Sequence, residues 1–172
     1  MNTARGRLGL RDHWPLAVAT VALLARDAPL LAMRALALNM DGIRLYYPAE
    51  HALAQALARA TLPFWTPLLQ AGFPLLGEGQ PGALYPLNLV AFAVLPTPVA
   101  HNAIVLVHRY LGLGFTYWWG RTLHLGAPAS ALMALAFVLT TWLGGSTVVL
   151  IETATWIPAL FALAERRVHR AP

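Results

Sequence analysis

A chain of 172 residues that is 58% hydrophobic and 11% charged lies far below the ~25% charged residues of ordinary soluble domains. With a mean hydropathy of +0.58, this composition excludes an ordinary soluble domain and reads as an all-α, polytopic membrane protein. The lack of cysteine excludes a disulfide framework and thiolate metal sites. The net charge of +5 is carried by arginine alone. Arg5, Arg7 and Arg11 precede the first apolar run, and Arg166, Arg167 and Arg170 follow the last. That is the flanking pattern of a topology signal, not a nucleic-acid stripe.

In chain order, residues 1–13 read as a polar, basic cytoplasmic tail. Residues 14–33 predict a first span, since about 20 apolar residues cross a bilayer. The span contains Arg26 and Asp27. A charge at mid-bilayer costs roughly 2.5–3.5 kcal/mol, so the pair is expected near the outer end or facing protein. Residues 39–98 form a large loop. Asp41-Gly42 marks a turn, and Pro48 to about Ala60 predicts a short helix lying in the interface. Its polarity comes from Glu50, His51, Gln55 and Arg59, with Glu50 and His51 read either as its wet face or as groups that support a site. Leu62 to Leu89 follows, too apolar for a soluble loop and too broken by proline for a span. Asn88 to Leu95 predicts another short helix.

Residues 99–119 predict the second span, with His108 and Arg109 inside it and Trp118 and Trp119 at its end. The third is expected over 127–149 and the fourth over 153–165. Arginine counted over the short loops places both termini in the cytoplasm of the inner membrane and the 39–98 loop outside. About four spans around a capped outer loop is thus the expected architecture, as one membrane domain.

The order of several proline- and tryptophan-anchored pieces is distinctive. These are Asp41 to Pro48 (D-x4-YYP), Leu62-Pro63-Phe64-Trp65-Thr66-Pro67, Gly72-Phe73-Pro74, Tyr85-Pro86-Leu87-Asn88 and Trp156-Ile157-Pro158. Together they resemble the YfhO-like bacterial membrane proteins of the GT-C glycosyltransferase superfamily. Thr66 departs from the asparagine more frequent there. The resemblance covers about Asp41 to Arg167. It implies transfer of a sugar from a polyprenyl-phosphate donor to an extracytoplasmic cell-envelope acceptor. It also implies an acidic residue in the first outer loop, where Asp41 stands, acting as base or holding a divalent metal. Members are several times longer. This chain therefore resembles an N-terminal portion, expected to be inactive without the remaining spans of the full-length protein.

Each candidate residue carries two readings. Asp41 is either the catalytic carboxylate or a turn former. Arg44 either grips a phosphate or pairs with Glu50. Glu78, between two glycines, is a ligand contact or a solvated loop carboxylate. His108 and Arg109 are expensive inside a span. Arg109 either neutralises Asp27 or Glu152, or meets donor phosphate. Glu152 is a second-rank site candidate, and Trp65 is an interface anchor or a sugar-stacking surface. The alternative to an enzyme is a non-catalytic scaffold or a transporter component, with the lipid bilayer as partner. No nucleic-acid partner is expected, and the histidines lack metal-ligand spacing.

Overall fold

The structure, a computed structural model, describes residues 13–140 and 148–168. The described residues are helical apart from connecting loops and one isolated bridge between Thr66 and Phe73. The helices are α1 (Trp14–Leu31), α2 (Tyr47–Ala58), α3 (Pro86–Val94), α4 (Thr97–Thr122), α5 (Ala127–Leu139), α6 (Val148–Ala154) and α7 (Ile157–Val168). Proline stands within the first two helical positions of α1 to α5, where its missing donor costs nothing and its fixed φ suits the first turn.

Helix α4 is the axis of the molecule and touches each of the other six. Two apolar clusters form along it. Ala49, Leu53, Phe73, Leu75, Phe92 and Ile104 join the 39–98 segment to one end. Ala19, Leu23, Leu113, Tyr117, Ala134 and Val138 join α1 and α5 to the other.

Two helical stretches are long and apolar enough to cross a membrane, Trp14–Leu31 and Val148–Val168. An 18-residue helix rises about 27 Å, close to the hydrocarbon thickness. Val18, Val21 and Leu24 of α1 and Leu160, Phe161 and Leu163 of α7 are exposed. Such a surface is at home in lipid and costly in water. Helix α4 is longer still, but His101, Asn102, His108, Arg109 and Arg121 dilute its apolar character.

Several expected boundaries move. The third span, expected over 127–149, ends as a helix at Leu139. Thr140 has extended ψ, residues 141–147 lie outside the described residues, and Val148 already begins α6. The fourth begins earlier than 153 and is interrupted at Thr155–Trp156. There, Pro158 near the start of α7 has no amide hydrogen to continue the ladder. The expected Asp41-Gly42 turn is instead the entry to a π-helical turn, Gly42–Tyr46, that runs directly into α2. Asp41 already has helical φ and ψ. Within α2 the wet-face reading of Glu50 is also corrected. Glu50 is buried with Ala49, Ala52 and Leu53, against α3 and α4.

Candidate functional site

The C-terminal end of α1 leaves carbonyls that need donors. Backbone amides of residues 32–35 meet Ala28 O, Pro29 O and Leu30 O, and Asn102 of α4 adds a donor from outside the segment. Its Nδ2 donates to Leu30 O at 3.0 Å and Ala35 O at 2.9 Å, and its Oδ1 accepts from Ala37 N at 3.1 Å. One amide side chain therefore fixes the link from α1 to the 39–98 segment.

Beside this link, Asp27 is 1% exposed and forms an ion pair with Arg109 of α4. Arg26 Nη1 also reaches Asp27 Oδ1, at 3.3 Å from the exposed side. Of the two partners expected for Arg109, Asp27 is the one paired with it. The three charged groups line a cavity of about 290 Å³, walled by Leu30, Leu36, Leu38 and Val105. Two guanidinium groups against one carboxylate leave this hollow cationic, suited to an anion.

A second group of polar residues lies under the loop. His101 is fully buried, with Nε2 3.0 Å from Ala37 O and Nδ1 2.7 Å from Glu50 Oε2. A carbonyl only accepts, so Nε2 carries hydrogen. The proton between Nδ1 and Oε2 is then shared by an imidazole and a carboxyl. Burial pushes the Glu50 carboxyl upward, opposed by His101.

His108 is bonded at both ring nitrogens. Nδ1 donates to Ile104 O at 2.7 Å, so in the neutral ring Nε2 accepts from the Tyr85 hydroxyl at 2.7 Å. Trp156 Nε1 donates to the same hydroxyl at 3.1 Å. Tyr85 and Trp156, which belong to two of the distinctive sequence pieces, therefore meet directly. Burial raises the Tyr85 phenol above its ordinary value, which keeps it a donor.

Near this chain of bonds, Asn88 Nδ2 donates to Gly82 O at 3.1 Å. A Cβ at Gly82, whose φ is +61°, would stand 2.9 Å from both Asn88 Nδ2 and Glu152 Oε2. Only glycine accommodates both that φ and that closeness. Glu152 is buried in this corner, beside Asn88.

The expected site residues are thus dispersed. Asp41 is exposed at the start of the π-helical turn. Arg44 is exposed and does not pair with Glu50, which is bonded to His101. Glu78 is half-buried, with its amide bonded to Pro74 O at 2.8 Å. Trp65 is exposed. His108 and Arg109 are buried, as expected, but in separate networks. Arg26, Asp27, Glu50 and His101 were not singled out as site residues. For Asp27 and Arg26 a signal existed: an acid–base pair at the end of a span and an arginine in another helix.

Among the described residues no group of three His, Cys, Asp or Glu side chains could hold a metal ion. Among the described residues Asp41 has no companion ligand of that kind, so those residues do not form a cation site around it. Comparison with known proteins finds no matching family model, curated protein or solved structure.

Proposed function

We propose that the chain belongs to an inner-membrane transferase. In this reading it moves a sugar from a polyprenyl-phosphate carrier to an extracytoplasmic cell-envelope acceptor. The observation supporting this reading is one adjacency. Leu36 and Leu38 wall the cationic cavity, and Asp41 follows Leu38 by three residues. Three residues span at most about 10 Å, so a water-accessible carboxylate stands near the rim of a guanidinium-lined hollow.

Glycosyl transfer needs both parts. Asp41 takes the proton of the acceptor hydroxyl, whose oxygen bonds to the anomeric carbon. The bond from that carbon to the phosphate oxygen breaks, and the charge left on phosphate faces Arg109 and Arg26. Arg44 lies on the same turn as Asp41 and can meet a second phosphate oxygen or a headgroup. The 39–98 segment then faces outward and both termini face the cytoplasm.

The test is transfer from tritiated polyprenyl-phosphate hexoses in membranes carrying the protein. Asp41→Asn abolishes transfer and leaves membrane insertion intact. Full transfer by this variant removes Asp41 from the site. A second reading, a non-catalytic component that holds the same lipid, is favoured by one observation: Arg109 and Arg26 are already engaged with Asp27. Binding of polyprenyl phosphate by the wild type without any transfer selects that reading.

A further inference from the structure

We infer that the Leu62–Leu68 loop is a bilayer-surface contact, with Leu62, Phe64, Trp65 and Leu68 seated among lipid and Arg59 set against an anionic phosphate headgroup. Those four side chains are 63%, 59%, 62% and 56% exposed. Four large apolar groups within seven residues make a patch that a water-facing surface rarely carries.

The fold holds this patch outward. Pro63, Thr66 and Leu69 point inward and are buried. Thr66 and Phe73 exchange two backbone hydrogen bonds of 2.9 Å, and Leu68 N donates to Thr66 Oγ1 at 3.2 Å. The Trp65 ring lies against Gly72, whose φ is +130°, so closely that a Cβ there would collide with it. The ring is therefore braced on one side and open on the other. Its ordering cost is already met by the fold, which favours contact with a partner.

Chemistry beside the patch selects the partner. A hollow of about 200 Å³ is lined by Arg59, Gln55 and Thr61 together with Leu62, Trp65 and Leu68. Arg59 is exposed and in no ion pair among the described residues. A cation next to exposed hydrocarbon and an indole matches an anionic amphiphile at the membrane–water boundary. A soluble saccharide is a poorer match. The hydroxyl of Thr61 already donates to Ala56 O at 3.1 Å, Thr66 Oγ1 is bonded to Leu68 N, and Gln55 Nε2 lies 3.0 Å from His51 Nε2. The inference needs no transferase activity and stands apart from that reading.

Because the chain lacks cysteine, a single spin label reports one position. Phe64→Cys, labelled with a nitroxide, is placed in nanodiscs of phosphatidylcholine with or without phosphatidylglycerol. Gly79→Cys is the water reference, since nothing lies within 4 Å of a Cβ there. With phosphatidylglycerol, the ratio of oxygen to nickel-chelate accessibility at 64 is several-fold above that at 79. Leu68→Cys gives the same result, so the outcome does not depend on one variant folding. Arg59→Gln returns the ratio to its value in phosphatidylcholine alone. Equal ratios at 64, 68 and 79 in both lipids overturn the inference. So does shielding that appears only when a soluble oligosaccharide is added. Burial unaffected by phosphatidylglycerol and by Arg59→Gln overturns the headgroup assignment.

Discussion

Removing Asp27 is the most severe single test of how α1 is held to α4. Its carboxylate is 1% exposed and the Arg109 side chain 4%. Breaking a buried pair by removing one partner costs about 3–5 kcal/mol, because the remaining charge stays desolvated. Asp27→Asn removes the carboxylate that both Arg26 and Arg109 face, so it belongs at the upper end of that range. Arg109→Gln is milder, because Arg26 Nη1 remains 3.3 Å from Asp27 Oδ1. Arg26 is 40% exposed, and an exposed pair contributes under about 1 kcal/mol. The expected order of loss is therefore Asp27, then Arg109, then Arg26. The double variant Asp27→Leu with Arg109→Leu loses both charges and recovers most of the deficit, since apolar replacement of a buried pair is often neutral or stabilising. The assay is reversible denaturant titration in detergent micelles, followed by circular dichroism. A loss below 1 kcal/mol for Asp27→Asn, or equal losses for Arg109→Gln and Arg26→Gln, would refute the reasoning.

Two further outcomes concern the cap. Glu50 titrates above the ordinary 4.5 in the folded protein. The folded state then binds more protons than the unfolded one, and stability falls as pH rises above that ordinary value and on through the raised folded one. Glu50→Gln keeps the side-chain shape and flattens that slope in melting curves measured from pH 4 to 8. The charged neighbour to hold in mind is His101, with Tyr47 and Glu152 within electrostatic reach. Tyr85→Phe removes the hydroxyl between Trp156 and His108. Two donor or acceptor groups lose their partner, at a cost of about 1–3 kcal/mol for each fully desolvated one. Micelle denaturation reads the loss, and a shift in indole emission reports the freed Trp156 N–H.

The helices were largely legible because apolar length and proline position are local signals. Trp14, Pro48, Pro86 and Pro98 stand near the starts that the structure shows. Two signals misled. The run from Ala127 through Val149 has no proline after Pro128, and its local breaker, Gly144-Gly145, lies several residues beyond the extended backbone at Thr140. Asp41-Gly42 looks like a turn, but Asn39 caps the helical start, its Oδ1 accepting from Gly42 N at 2.7 Å, and Tyr46 and Ala49 are buried just beyond. Glu50 shows the limit most clearly. On a helical wheel it is one more polar residue of a short helix. Its burial depends on His101, 51 residues away, and no local pattern encodes that meeting. Arg109 was legible to the extent that a charge inside an apolar helix demands a partner, and Asp27 was among those considered.

Asn102 sits 72 residues after Leu30 and 65 after Ala37. At roughly 5–20 residues per second of synthesis, the link that leaves the first helix waits on the order of 4–14 seconds before its clasp emerges from the ribosome. During that interval Leu30 O keeps only its local bond from Met33 N at 3.2 Å, and the link that follows the helix has no partner from α4. The biogenesis of this chain therefore has a built-in delay, and Asn102 marks where it ends.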